Sequence, residues 1–340
     1  MNFTRKDFLR TTALASLAGI TISGTACNTT YQVNSTIKPK ALKEGDTLGL
    51  IAPASPIYEE SVFNEMLVNL TDLGFEIKLG KHVRNQNGYL AGTDQERLED
   101  LMNMFKDPEV DGIMCIRGGW GCNRILPFID YDVIRSNPKV FCGFSDITSL
   151  HMAFYVNSGL HSFHGPVGKS VWNSFTTDAF NSVIRDAERA QYFIHDSSED
   201  HFVITPGKSE GVLLGGNLSV LTSMIGSEYL PSFDGAILFL EDIGESVYRI
   251  DRMLTQLKLA GILDQISGFV FGKCTECSAG NNSLTLEQVF NDHIKPLDIP
   301  AFYGAMISHE DDNITLPVGI KAEIDADQRT ISMLEPGVLL

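Results

Sequence analysis

The hydrophobic pattern alternates between short apolar runs and amphipathic stretches. Thr47-Leu48-Gly49-Leu50-Ile51-Ala52 is a continuous apolar run that opens into the small-residue stretch Pro53-Ala54-Ser55. From Glu59 to Leu73 the apolar positions Val62, Met66, Leu67 and Leu70 fall at helical spacing. The next strand-like run is Gly74–Leu79, followed by an Asn- and Gly-rich loop and a helical pattern from Thr93 to Phe105. Val110–Ile116 is again apolar and ends in Arg117-Gly118-Gly119-Trp120-Gly121. Short apolar runs bounded by turn residues predict buried strands, and i, i+3, i+4 spacing predicts helices.

The alternation implies an α/β chain whose N-terminal part is a mostly parallel sheet flanked by helices. In such sheets ligands sit beyond the carboxyl ends of the strands, so the loops after Ala52, Ile116 and Phe144 are expected to converge. A second α/β domain is expected from Glu210. It has a buried strand Gly235–Leu240 ending on Glu241-Asp242, a helix Val247–Leu259, a strand Ile266–Phe271 and short strands over Ile314–Leu339. Residues from about Asp178 to Pro206 are more polar, and Asp196–Asp200 suggests an exposed linker. The expected division is therefore 41–190 for the first domain, 191–209 for the linker and 210–340 for the second domain.

Composition narrows the partners. The chain has 340 residues, enough for two domains, with 43% hydrophobic and 20% charged residues. Its 26 basic against 43 acidic residues leave a formal net charge of -17, which argues against nucleic acid and anionic membrane surfaces as partners. After the N-terminus no apolar run is long enough to span a bilayer.

The N-terminus has the features of an export address. Thr4-Arg5-Lys6-Asp7-Phe8-Leu9-Arg10 resembles a twin-arginine signal with lysine in the second basic place. An apolar run over Ala13–Ile22 and small residues before Cys27 resemble a lipoprotein signal over 1–27, with Gly24 where leucine is usual. The expectation is an exported protein, periplasmic or membrane-anchored through lipidated Cys27, with 28–40 as tether. Of the other cysteines, Cys115 and Cys142 lie in apolar runs and are expected to be buried. Cys274-Thr275-Glu276-Cys277 lacks a second ligand pair, so a local disulfide or free thiols are favoured over zinc.

The candidate chemistry starts at Val140-Phe141-Cys142-Gly143-Phe144-Ser145-Asp146-Ile147-Thr148. An apolar strand-like run ends there, a serine follows, and Met152-Ala153-Phe154-Tyr155 continues at helical spacing. A hydroxyl at such a strand–turn–helix junction is held out beside the free N–H groups of the helix start. Taken alone, Ser145 or Asp146 would simply cap the helix, because the second glycine of G-x-S-x-G is missing. Glu241 at a strand end and His309 between an apolar run and Leu316-Pro317-Val318-Gly319 have structural readings of their own. Together the three supply a nucleophile, a base and an acid to orient the base. Spacing alone leads no further than a serine hydrolase as one candidate.

Several blocks taken in order resemble the LD-carboxypeptidases of peptidase family S66 and the related microcin C immunity peptidases. They are Ala52-Pro53-Ala54-Ser55, Arg117-Gly118-Gly119-Trp120-Gly121, Gly143-Phe144-Ser145-Asp146-Ile147-Thr148, His164-Gly165-Pro166, Leu214-Gly215-Gly216-Asn217-Leu218, Leu240-Glu241-Asp242 and His309 with Leu316-Pro317-Val318-Gly319. The resemblance runs from about Leu42 to Gly337. It implies a serine peptidase with its active site between two domains, with Ser145 as nucleophile, His309 as general base and Glu241 as its orienting acid. It further implies an oxyanion hole from the N–H groups of Asp146 and Gly119, with no metal or cofactor. Trp120, where tyrosine is more usual, would pack on substrate. Arg117 would either pair with a substrate carboxylate or hold a turn.

The implied substrate is a peptidoglycan-derived tetrapeptide that loses its terminal D-alanine. Relatives are often dimers, so a homodimer is implied too. Two alternatives stand beside this: a microcin-immunity-like amidase acting on peptidyl or aminoacyl nucleotides, and a non-catalytic muropeptide-binding lipoprotein.

Overall fold

The structure is a computed structural model and describes residues 35–194 and 201–340. The export address, Cys27, the first part of the tether and Asp196–Asp200 lie outside the described residues. In chain order the first part runs β1 (Thr47–Ile51), α1 (Glu60–Asp72), β2 (Glu76–Leu79), α2 (Asp94–Lys106), β3 (Gly112–Cys115), α3 (Tyr131–Ser136), β4 (Val140–Gly143), α4 (Thr148–Ser158), β5 (Ser162–His164) and α5 (Ser174–Ile184). The rest runs β6 (Gln191–Phe193), β7 (Phe202–Thr205), β8 (Lys208–Asn217), α6 (Leu218–Ser223), β9 (Ala236–Ile243), α7 (Val247–Leu259), β10 (Gly268–Thr275), α8 (Leu286–His293), β11 (Ala301–Tyr303), β12 (Leu316–Val318), β13 (Lys321–Asp325) and β14 (Thr330–Met333).

The strands form two sheets, so the chain is α/β as the pattern implies. The first sheet has the order β12-β5-β4-β3-β1-β2 and the second β6-β14-β13-β8-β9-β10-β11-β7. Strands β5-β4-β3-β1-β2 are parallel, as are β8-β9-β10-β11. The inner strands β1, β3, β4 and β9 are mostly apolar and buried because helices cover the sheet faces. In the first sheet the strand order reverses between β3 and β1, which puts a crevice at their carboxyl ends.

Between the sheets sits α4. Every residue from Thr148 to Phe154 is buried, the pattern of a helix enclosed on all sides. It packs against β5 and β8, so the helix that follows Ser145 touches both sheets.

Four details differ from the sequence expectation. β9 does not stop at Leu240; it continues through Glu241 and Asp242 to Ile243, and Asn217 of β8 pairs with Glu241. Polar residues stay in the strand there because the neighbouring Asn217 amide satisfies them. The interval read as linker contains β6 and β7, both paired into the second sheet, while the polar stretch from Asp178 continues helix α5. β12, from the C-terminal stretch, crosses to the first sheet and pairs antiparallel with β5, burying Leu316 and Val318. Finally, residues 35–40 are docked rather than free: the Ile37 N–H donates to Gly159 O at 2.7 Å, and Lys38 pairs with Glu335 at 2.5 Å.

Candidate active site

Ser145 opens the 3-10 turn Ser145–Ile147 that joins β4 to α4. Its φ is +66°, a left-handed conformation that costs a non-glycine residue about 1–3 kcal/mol. Strain of that kind persists only where surrounding contacts impose it, and it clusters at functional sites. His151 on α4 supplies one such contact. Its Nε2 donates to Gly143 O at 2.8 Å and its Nδ1 faces the Ser162 hydroxyl at 2.8 Å, fixing the end of β4. Burial pushes the His151 pKa down to about 3, so the ring stays neutral. The Ser145 side chain is half-buried, and its hydroxyl has no hydrogen-bond partner among the described residues.

The three loops expected to converge do so. A Cβ on Gly118 would stand 2.7 Å from Ser145 Cβ, so the Gly118 backbone lies against the serine. The Ser55 N–H donates to Gly118 O at 3.4 Å, and the Trp120 N–H donates to Ser55 Oγ at 3.2 Å. Gly119 has φ +124°, and a Cβ there would lie 2.3 Å from Ser55 Oγ. The absence of a side chain at 119 is therefore already required by the fold, before any substrate approaches.

Asp146 is buried, and its carboxylate accepts the Cys122 N–H at 2.8 Å, tying the glycine loop to the serine turn. Burial raises its pKa. Arg117 donates to Pro56 O at 3.0 Å, a contact that holds the loop after β1. The Trp120 ring is about half exposed.

On the other side, Glu241 is fully buried, and its Oε2 lies 2.8 Å from His309 Nδ1. A carboxylate only accepts, so Nδ1 carries the proton and Nε2 is left free as an acceptor. Asn217 Nδ2 donates to Glu241 Oε1 and to Asp242 Oδ1, each at 3.1 Å. Asp242 also accepts the N–H groups of Ser219 and Ile243. Burial, and then the Glu241 charge, push the Asp242 pKa up to about 7.

The segment carrying His309 is clamped at both ends. Ser308 Oγ accepts the Lys273 N–H at 2.5 Å and donates to Lys273 O at 3.0 Å, and Thr275 Oγ1 donates to Glu310 at 2.8 Å. Cys274 and Cys277, the tip of this clamp, are joined by a disulfide.

The two halves meet. The Phe144 ring, next to Ser145, lies 4.7 Å from the His309 ring between centroids. The Asn217 N–H donates to Thr148 Oγ1 at 2.9 Å. That approach needs Gly216, where φ is +141° and a Cβ would lie 2.4 Å from Thr148 Oγ1. His164 lies in the core rather than at the surface. It ends β5, and its Nε2 donates to Ile307 O at 2.8 Å, two residues before His309. A cavity of about 860 Å³ opens beside His309, lined also by Lys273, Thr275, Glu276, Met306, Glu310, Asp311 and Asp312.

Sequence reasoning passed over Asn217, Thr148, His151 and Asp242. Asn217 carried one usable signal: as the residue before an apolar helical run it caps α6, its Oδ1 accepting the Val220 N–H at 3.1 Å.

Family models for the LD-carboxypeptidase N-terminal and C-terminal domains match residues 48–165 and 210–324. The chain is 42% identical over 309 residues to a probable murein peptide carboxypeptidase of Bacillus subtilis, covering 88% of this chain and 95% of that one. It is 33% identical over 291 residues to the murein tetrapeptide carboxypeptidase of Pseudomonas aeruginosa, covering 83% and 94%. The solved structure of MccF in complex with glutamyl sulfamoyl guanosine is similar with a TM-score of 0.83 at 28% identity, covering 89% and 99%.

Proposed function

Because the chain belongs to the LD-carboxypeptidase family, we propose that it is a serine-type carboxypeptidase that releases the terminal D-alanine of murein tetrapeptides. The bond cleaved is the amide between the L-configured centre of a diamino acid and D-alanine. The observation that carries this reading is the buried Glu241–His309 contact, which leaves Nε2 as a base on a ring packed against that of Phe144, the residue before Ser145.

His309 Nε2 accepts the Ser145 proton as Oγ bonds to the scissile carbonyl carbon. The oxyanion is received by the Gly119 and Asp146 N–H groups, the latter at the positive end of the helical turn. The C–N bond then breaks, and His309 returns the proton to the leaving amine of D-alanine. Water attacks the acyl-enzyme with His309 again as base, and the proton passes back to Oγ as the ester breaks. Glu241 stabilises the imidazolium in both halves, and Asn217 holds Glu241. Among the described residues the Ser145 hydroxyl has no hydrogen-bond partner, and a catalytic serine–histidine pair commonly tightens only in the complex.

The reading extends to compartment: the protein is exported and anchored through Cys27. The twin-arginine-like start and the Cys274–Cys277 disulfide support this, because disulfides persist in oxidising compartments. Membrane fractionation of cells carrying a Cys27→Ala variant, which would be released into the soluble fraction, tests it.

The catalytic test is incubation of the purified protein and its Ser145→Ala variant with a disaccharide-tetrapeptide. Mass spectrometry should find loss of one D-alanine with the wild type only. Turnover of an acyl-sulfamoyl nucleotide without loss of D-alanine would overturn the substrate assignment.

A further inference from the structure

Three aromatic rings face solvent on the loops beyond the carboxyl ends of β1, β2 and β3: Tyr58 at 51%, Tyr89 at 62% and Trp120 at 48% exposure. They form one rim. The Tyr89 and Trp120 rings meet at 5.6 Å between centroids with planes 78° apart, and the Tyr58 hydroxyl donates to Gly88 O at 3.3 Å. Two bonds from backbone N–H groups hold the rim in place: the Ala91 N–H donates to Ala54 O at 2.9 Å and the Trp120 N–H to the Ser55 side-chain Oγ. Arg124, itself fixed by Asp94, sits 5.9 Å from the centre of the Trp120 ring. Clustered aromatics left in water on a fixed backbone mark a surface that receives a ligand.

We infer that this rim is a subsite for the sugar rings of a glycan-bearing muropeptide, an inference that rests on the carboxypeptidase reading. A pyranose ring presents apolar C–H faces and hydroxyl edges. It stacks on an aromatic face while its hydroxyls reach the phenols of Tyr58 and Tyr89. The reach agrees. In a tetrapeptide the sugar joins the end away from the scissile bond, three residues back, and three extended residues span roughly 10 Å. Gly118 touches Ser145, and Trp120 follows it by two residues, at most about 7 Å of chain. The rim therefore selects substrates still carrying their disaccharide over free peptides.

The test compares kcat/KM on a disaccharide-tetrapeptide and on the free tetrapeptide. The wild type should favour the former by roughly tenfold, through KM, and Tyr89→Ala should bring the ratio close to one. Because both substrates meet the same protein, a folding defect leaves the ratio unchanged. A ratio of one in the wild type, or one unmoved by Tyr89→Ala, overturns the inference. Tryptophan fluorescence of Ser145→Ala titrated with the disaccharide alone provides a readout independent of turnover. Saturable quenching lost in a further Trp120→Phe substitution supports the subsite even if neither peptide is cleaved. Quenching by adenosine monophosphate and not by the disaccharide overturns it.

Discussion

The backbone N–H of Asn217 donates to the Thr148 hydroxyl at 2.9 Å, with both residues buried. Thr148 begins the helix after Ser145, and Asn217 holds Glu241, so one hydrogen bond joins the nucleophile's element to the acid's. With His164 Nε2 on Ile307 O and Phe144 against His309, it is one of the contacts that set Ser145 relative to His309.

Thr148→Val should leave the Asn217 N–H buried without a partner, at a cost of about 1–3 kcal/mol. We expect a lower Tm and a lower kcat, with Thr148→Ser close to wild type in both. Calorimetry alongside steady-state rates checks this, and a valine variant with unchanged kcat would disconnect the bond from catalysis.

Glu241→Gln should lower kcat by on the order of 10³–10⁴ while KM stays near the wild-type value, because the amide no longer fixes the His309 tautomer or stabilises its charge. Rates on the tetrapeptide measure it. A loss of less than about tenfold would remove Glu241 from the role proposed here.

Gly119→Ala should disrupt the glycine loop, since the new methyl would fall 2.3 Å from Ser55 Oγ and 2.5 Å from Ser55 Cβ. Ser55→Gly in the same chain should restore part of the lost stability and not all of it, because φ +124° remains unfavourable for alanine. A double-mutant cycle by thermal unfolding gives the coupling, expected at about 0.5–3 kcal/mol; additivity would contradict the contact.

Asp242, whose pKa burial pushes up to about 7, titrates near 3.9 in the unfolded chain. Between those values the folded protein holds a proton that the unfolded chain has lost. Its contribution to stability is therefore fully present below about pH 4 and is lost as pH rises to about 7. In Asp242→Asn that contribution does not titrate, so wild-type Tm minus variant Tm should shrink across this window. Parallel Tm curves from scans at several pH values would contradict the assignment.

The parallel sheet, the helix Val247–Leu259 and the convergence of three loops were legible in the sequence because each rests on local periodicity or on the place of loops at the carboxyl ends of parallel strands. The pairing of Glu241 with His309 was not, because residues 68 apart meet only through tertiary packing. Spacing offered the three residue types, and the likeness to a family offered their roles. β9 looked finished at Leu240 because a buried Glu-Asp pair has no place in an apolar strand until the Asn217 amide stands beside it. The left-handed φ of Ser145 was equally invisible, since serine carries no signal for it. Gly119 was expected as an oxyanion-hole donor, and nothing in the sequence showed that its missing side chain makes room for Ser55 Oγ.

The crossing of β12 into the first sheet has a consequence for how the molecule is made. A polypeptide still missing its last thirty or so residues would hold Ser145 but leave the β5 edge of its sheet unpaired. Leu339 would also be absent from its backbone bonds to Pro39 and Ala41. The first sheet is thus completed by a strand that follows β8 to β11 in the chain. A cut between the two domains would therefore strip the β5 edge of its partner strand.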